Sequence, residues 1–397
     1  MNNARIVHII NSFEFGGAES MLCNLLLRSD RKRFDISVVS LIDDLTVAGP
    51  IVDAGIPIKV IGMKPGIPSP RGVARLAKHL RALRPNVIQT WMDHSNLIGG
   101  VAAKFVPSAA VVWGIHHSNH VPGLTKRSTL MTVGACAKLS RRLPHRIVFC
   151  SENARQTYIG RGFDAERSMV IPNGFDLSAF RPDAAARAAV RQELALPSEA
   201  VVIGLVARYD PMKDHANFLN AAALLTQRFP DVHFLLCGRD VHVENEALMG
   251  HIHALGIADH CHLLGPRRDI PRIHASLDIL ISSSLSEAFP LTIGEAMACG
   301  VPCVATDVGD SALIVGDTGK IAPSQDPESL AAACAELLSM RPADRHRLGS
   351  AARQRVQELF DLSSVTERYQ DLYQSLAAEG EVDHVSLASR PGAVSMG

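Results

Sequence analysis

The chain has 397 residues, 40 Lys+Arg against 40 Asp+Glu, and 47% hydrophobic residues, a composition of two or three globular domains with sizeable cores that excludes disordered and fibrous classes. No apolar run approaches the roughly 20 residues of a membrane span, and MNNARIVHIINSFEFGG lacks the basic lead-in and cleavage site of an export signal, so a cytoplasmic protein is expected. The zero net charge hides an asymmetry: residues 1–190 carry 24 Lys+Arg against 13 Asp+Glu and the remainder 16 against 27, or +11 and −11. Such a basic half can face anionic lipid, nucleic acid or its own acidic partner domain. Few aromatics sit between the basic residues and no nucleic-acid motif accompanies them, so no nucleic-acid partner is expected. Eight cysteines in apolar contexts, without a Cys-x-x-Cys pair, suit buried thiols in a reducing compartment.

In chain order, RIVHII (5–10), FDISVVSL (34–41), IPIKVIG (56–62), VIQTW (87–91), AVVWGI (110–115), RIVFCS (146–151) and MVIP (169–172) are strand-length apolar runs separated by helical patterns. Continuous rather than alternating apolar runs belong to parallel strands covered on both faces. After the Pro172-Asn173-Gly174 turn the alternation restarts with VVIGLVAR (201–208), VHFLLCG (232–238), HCHLLG (260–265), DILISSS (278–284) and PCVATDV (302–308). The expected fold class is therefore α/β, with two Rossmann-like doubly wound domains facing across a cleft. Expected boundaries are 1–175 for the N-terminal domain and 176–360 for the C-terminal domain. A helix over 361–378 is expected to pack back on the first domain, and a disordered tail over 379–397 to follow it.

Ligands of doubly wound sheets bind beyond the carboxyl ends of the strands, and several short motifs stand there. NSFEFGGAES follows the first strand; Gly16 and Gly17 either offer free amides at a helix N-terminus to an anion or merely make a tight turn. WGIHHSNH brings His116 and His117 to a strand end, one toward the core and one toward the site. In ARYDPMKDHANFL, Arg208 leaves the strand end and Lys213 opens the next helix, either as cations for a diphosphate or as salt-bridge partners of Asp210 or Asp214. HIHALGIADHCH (251–262) holds four histidines and Cys261 at a spacing that fits no tetrahedral set, so no metal site is expected. The longest motif, SEAFPLTIGEAMACGVPCVATDVGD, places Glu287 in a loop and Glu295 inside the following helix, with Pro290 in its first turn. Two carboxylates so separated can each accept hydrogen bonds from a different set of ligand hydroxyls, as on a sugar nucleotide. A hydrolase would instead aim both acids at one bond.

These motifs, together with WMDHSNLIGG, VFCSENAR and VIPNGFD, resemble those of the GT-B glycosyltransferases of glycosyltransferase family 4 across residues 4 to 375, the E-x7-E pair Glu287 and Glu295 being the most specific. The resemblance implies retaining transfer of a sugar from a nucleotide diphosphate sugar, UDP favoured and GDP the alternative, without a metal or other cofactor. It implies that Gly16 and Gly17 approach the donor phosphates and that Arg208 and Lys213 stabilise the leaving diphosphate. Glu287 then lies by the donor sugar and Glu295 on the ribose, while the backbone of Phe289, Pro290, Leu291 and Thr292 contacts phosphate and sugar. His117 is assigned to the donor sugar, although the doubled His116-His117 departs from the family pattern and leaves both open. Arg268 in GPRRD is a candidate for base recognition or, equally, part of a salt-bridged surface loop. The implied acceptor is a glycan or lipid-linked hydroxyl in cell-envelope polysaccharide or lipopolysaccharide synthesis. The basic helical stretches 71–84 and 125–146 suit peripheral contact with an anionic membrane at the inner face, or are plain solvated helices. Rival classes are a sugar-nucleotide epimerase or hydrolase, a non-catalytic nucleotide-sugar binding protein, and a dehydrogenase, the last disfavoured because no G-x-G-x-x-G follows a strand.

Overall fold

The computed structural model describes residues 3–14, 16–64, 69–117, 125–197 and 199–388, with side chains to 379. The chain divides into two compact units, one running to Pro172 and resuming at Ser363, the other spanning Asn173–Leu362.

The first unit contains β1 (Ala4–Ile10), α1 (Gly17–Arg28), β2 (Phe34–Ser40), α2 (Gly49–Asp53), β3 (Ile58–Val60), α3 (Pro70–Leu83), β4 (Val87–Trp91), α4 (Asp93–Ala103), β5 (Ala110–Ile115), α5 (Arg127–Leu139), β6 (Arg146–Phe149), α6 (Glu152–Gly160) and β7 (Ser168–Val170). Its strands pair in parallel in the order β3-β2-β1-β4-β5-β6-β7. The register sets Ile10 beside Trp91 and Trp91 beside Gly114, so the carboxyl ends of β1, β4 and β5 open at one level. Val7, Ile9, Ile88, Val111, Trp113, Ile147 and Phe149 are buried, as continuous apolar strands between two helical layers must be. The paired glycines of α4 permit its close seating. A Cβ on Gly99 would stand 2.6 Å from Thr90 Cγ2, and one on Gly100 3.0 Å from Trp113 Nε1.

The second unit repeats the plan with α7 (Ala184–Glu193), β8 (Val201–Val206), α8 (His215–Arg228), β9 (Val232–Cys237), α9 (Glu246–Ala254), β10 (Cys261–Leu263), α10 (Ile270–Ser276), β11 (Ile279–Ser282), α11 (Leu291–Ala298), β12 (Cys303–Thr306), α12 (Ser311–Val315), β13 (Lys320–Ala322), α13 (Pro327–Leu338) and α14 (Pro342–Leu359). Its parallel order is β10-β9-β8-β11-β12-β13. The edge strand β13, Lys-Ile-Ala, carries one large apolar side chain and does not stand out as an apolar run in the sequence. Both units are thus Rossmann-like, with the doubly wound reversal between β1 and β4 in one and between β8 and β11 in the other.

The last helix, α15 (Leu362–Ala388), belongs to the first unit from Ser363 onward. Its Tyr369 and Tyr373 are buried on the β1–β4 face: Tyr373 Oη donates to Gln89 Oε1 at 3.2 Å, and Tyr369 stacks on Trp91 at 6.1 Å. The expectation of a disordered tail from residue 379 is corrected in part, since the backbone stays helical through Ala388. Glu, Val, Leu and Ala dominate there, Gly380 alone does not stop a helix, and Pro391 lies further on. Residues 389–397 lie outside the described residues. No helix among the described residues is long and apolar enough to cross a membrane, and the eight cysteines are thiols, all but Cys261 being buried.

Candidate active site

In the second unit the site grows from the ends of β8 and β11. Beyond β8 the chain passes Arg208 and makes a 3-10 turn, Pro211–Lys213, opened by Asp210, whose carboxylate accepts from Met212 N at 2.9 Å. Asp214, in the left-handed region at φ 45°, then caps α8 by accepting from Asn217 N. Lys213 therefore sits in the turn before α8 rather than opening that helix. The β11 loop is tied to this turn: Ser283 Oγ donates to Lys213 O (2.9 Å) and Asp214 O (3.0 Å), and Leu285 N donates to Met212 O (2.8 Å).

These ties bring Lys213 and Glu287 together. Lys213 Nζ donates to Glu287 Oε1, which also accepts from Ser284 Oγ at 2.8 Å. The sequence reading placed the two residues in one site but gave them separate partners. In the structure they form one half-buried ion pair. The loop carrying Glu287 is itself pressed against Gly309 (φ 57°), where a Cβ would lie 2.3 Å from Glu287 O.

Arg208 realises the salt-bridge alternative, with its Nε 3.0 Å from Asp210 Oδ2 and its side chain 42% exposed. Burial raises the Asp210 pKa, but the Met212 amide and the Arg208 guanidinium outweigh it and leave the carboxyl below its usual value. Behind Lys213, His215 is buried and its pKa is lowered to about 4 by desolvation, so it is neutral at pH 7.

Phe289 and Pro290 are buried, with Pro290 at the N-cap of α11 and not, as expected, within its first turn. Leu291 and Thr292 follow as the first helical residues, their amides without intrahelical partners. The helix is seated on Phe175, which stacks on Phe289 at 6.0 Å and meets Phe360 edge-on at 6.4 Å. A Cβ at Gly294 would come within 2.0 Å of Phe175 Cζ, which is why the motif carries glycine there. Glu295, on α11, has Oε2 3.3 Å from Nε2 of the buried His274, a contact no sequence spacing reveals. Arg268 is exposed, while its neighbour Arg267 is the one held by Glu193 and Asp269. The histidine-rich stretch divides: His262 Nε2 meets His233 Nδ1 at 3.2 Å and His260 Nδ1 meets Val232 O at 2.9 Å. Among the described residues no group of three His, Cys, Asp or Glu side chains could hold a metal ion.

In the first unit, Gly16 caps α1 in extended backbone (φ −166°), so it is not required for a left-handed turn. The Glu19 carboxylate folds over it, its Oε2 2.2 Å from where a Cβ at Gly16 would lie, a contact that rotation of that flexible side chain would relieve. Glu19 thus fills the space over the α1 N-terminus that the sequence reading gave to an outside anion. Desolvation, with a smaller push from Glu14, raises its pKa. Of the two histidines after β5, His116 stacks on buried Trp91, ring centroids 4.7 Å apart at 18°, and half-buried His117 comes next in the chain. At the β4–α4 corner Met92 holds φ 72°, a strained value for a non-glycine residue. Asn96 fixes the corner, accepting from Thr90 Oγ1 at 2.6 Å and donating to Gly114 O at 3.0 Å. Behind it Asp93 is buried, accepts from Tyr158 Oη at 3.1 Å, and has its pKa raised to about 6 by burial.

Two family descriptions match this frame end to end: "Glycosyltransferase Family 4" over residues 15–179 and "Glycosyl transferases group 1" over residues 186–355. The chain belongs to glycosyltransferase family 4. It is similar to the D-inositol 3-phosphate glycosyltransferase of Corynebacterium urealyticum, 26% identical over 318 residues that cover 73% of this chain and 75% of that protein. It is also similar to the UDP-Gal:alpha-D-GlcNAc-diphosphoundecaprenol alpha-1,3-galactosyltransferase of Escherichia coli, 25% identical over 249 residues, 62% of this chain and 64% of that one. Among solved structures, Anabaena Alr3699/HepE in complex with UDP and glucose shares the GT-B fold at a TM-score of 0.81 and 22% identity, covering 94% of this chain and all of that one. This glycosyltransferase carries Glu287 on the loop after β11, against Lys213 and Ser284, and Glu295 on α11, beside His274.

Proposed function

We propose that this glycosyltransferase moves a hexose from a nucleoside diphosphate sugar, UDP-linked by preference, to a hydroxyl of a glycan or lipid-linked acceptor, with retention at the anomeric carbon and without a required metal. The observation that carries this reading is the Lys213–Glu287–Ser284 cluster at the end of β11, with Arg208 beyond β8. Two cations and the free amides at the start of α11 suit the charge that builds on a departing diphosphate. Each such interaction in a dry site is worth about 3 kcal/mol of barrier. Glu287, fixed by Lys213 and Ser284, then faces the donor sugar, and Glu295 takes the ribose hydroxyls.

The acceptor hydroxyl attacks from the leaving-group face and the departing phosphate oxygen accepts its proton, so no protein nucleophile is needed. His117, Gly16 and Gly17 are kept as candidate donor-binding residues of the first unit. The relatives' names, one acting on a diphosphoundecaprenol sugar, favour an envelope-glycan acceptor. Exposed Arg71, Arg75, Lys78 and Arg81 along α3, and Arg127, Leu130 and Met131 on α5, suit peripheral contact with an anionic membrane. Base recognition by Arg268 remains part of the proposal, since its side chain is exposed and available.

The test is thermal stabilisation of the purified protein by UDP-, GDP-, ADP- and dTDP-sugars, beside Lys213→Ala and Glu295→Gln. Stabilisation by the UDP class, lost in both variants, is expected. A wild type that no sugar nucleotide stabilises overturns the reading. Anomeric configuration of the product by NMR tests retention, and co-sedimentation with anionic liposomes tests the membrane contact.

A further inference from the structure

At the amino ends of β1, β4 and β5, the end of the first sheet away from the motif-bearing loops, the first unit holds a cavity of about 380 Å³. Arg5 of β1, Arg81 in the last turn of α3 and Arg84 at the C-cap of that helix line it, and among the described residues no carboxylate does. None of the three guanidinium groups has an acidic partner within 4.0 Å among the described residues, and Asp35, level with Arg5 on β2, is outside that range. Arg81 is held in place: its Nε donates to Phe105 O at 2.9 Å, and its guanidinium lies over the Phe105 ring, 5.6 Å from the centroid. Arg84 keeps an arginine in left-handed backbone, φ 47° and ψ 56°, where a helix end favours glycine. Asn86 Oδ1 accepts from Arg5 N at 2.9 Å, which leaves Asn86 Nδ2 as a further donor in the lining, and Ser108 Oγ is another.

Like charges gathered in a concave site repel one another, and surface cations are ordinarily interspersed with carboxylates. Here the charge is left for a ligand. A guanidinium fork offers paired N–H donors, and three forks with an amide and a hydroxyl match the several acceptor oxygens of a phosphate dianion better than the two of a carboxylate. The volume is that of a small-molecule site rather than of a single ion. The rest of the lining includes the Phe105 ring, 49% exposed, and Pro107, an apolar surface beside the cationic one. We propose that this cavity is an anion site separate from the donor site, taking the phosphate of an organic phosphoester whose apolar part lies against Phe105. A lipid headgroup and a soluble phosphorylated metabolite share that chemistry. The proposal stands independently of the donor-site reading, which uses none of these residues.

The probe is phenyl phosphate, with binding to the full chain measured by calorimetry. The wild type should bind it, and Arg81→Gln and Arg84→Gly should each weaken it by about 10-fold or more. Lys213→Ala, at the other candidate phosphate site, should retain the binding. Arg84→Gly is the sharper variant: it removes the charge while relieving the left-handed backbone, so its urea midpoint should not fall below that of the wild type. Binding that survives both arginine variants places the phosphate elsewhere and overturns the proposal, as does a wild type that binds none. Co-sedimentation with phosphatidylcholine vesicles carrying phosphatidic acid then separates the two sources. Pelleting that is lost in Arg84→Gly assigns a lipid headgroup; equal pelleting of wild type and Arg84→Gly, with the phenyl phosphate loss intact, assigns a soluble phosphoester.

Discussion

The strand ends of the two units treat charge in opposite ways. At the carboxyl ends in the second unit charged side chains stand in pairs, Lys213 with Glu287, Arg208 with Asp210 and Glu295 beside His274, while the buried His215 behind them is held neutral by desolvation. In the first unit charge is suppressed. His8, fully buried and accepting from Trp91 Nε1 at 3.2 Å, has its pKa lowered to about 3, while Asp93 and Glu19 are pushed upward, all chiefly by desolvation. Yet the first half of the chain is the basic one, at 24 Lys+Arg against 13 Asp+Glu. Its cations lie on outer helix faces such as Arg71, Arg75, Lys78 and Arg81 of α3. On the donor-site reading proposed above, the net charge of a domain therefore does not locate its anion site; the strand ends do.

The contrast can be broken first at Lys213. Lys213→Ala removes a cation from the diphosphate side and strands the Glu287 carboxylate, so kcat should fall about 10²–10³-fold. The loss in Lys213→Ala with Glu287→Ala should be far from additive, and steady-state rates of the four proteins check this. Next comes the seat of the motif helix. Gly294→Ala drives a methyl to within 2.0 Å of Phe175 Cζ and should cost the second unit about 1–3 kcal/mol in urea unfolding, leaving the first unit's transition in place.

The suppressed charges of the first unit give a pH signature. A histidine whose folded pKa lies below its unfolded value of ~6.5 binds more protons unfolded, so its contribution is lost as pH falls from there toward the folded value. For His8 the step from pH 7.5 to 5 costs about 2 kcal/mol, and His8→Gln should remove that loss. Asp93 has the opposite sign: with its folded pKa raised to about 6, stability is gained as pH falls through 6, by about 1 kcal/mol at pH 5, and Asp93→Asn should abolish the gain. Urea midpoints at the two pH values read both. The smallest effect is at Glu19. Because desolvation raises its pKa, Glu19→Gln should change stability at pH 7 by less than about 1 kcal/mol, in the stabilising direction.

Much of the fold is legible in sequence because buried parallel strands are continuous apolar runs. β13 escaped because Lys320, Ile321 and Ala322 offer one large apolar side chain and make no run, and the extension of α15 escaped because its Gly, Ser and Glu read as tail composition. Within the site, motif spacing locates residues on elements but not across them. Glu287 and Lys213 are 74 positions apart and meet because Ser283 and Leu285 tie the two loops. His274 carries no motif at all, and Glu19, though inside FEFGGAE, reveals its place over Gly16 only when the helix is built. The sequence reading of Pro290 erred by one residue because a proline before a helix and one inside its first turn leave the same signature.

The central claim is that the nucleotide diphosphate is held by the charged strand ends of the second unit. Thermal shift by UDP alone, compared across the wild type, Arg208→Gln, Lys213→Ala and His117→Ala, tests it most directly. The account predicts a wild-type shift that is lost in Lys213→Ala, reduced in Arg208→Gln and kept in His117→Ala. A UDP shift that survives both second-unit variants and disappears in His117→Ala would contradict it.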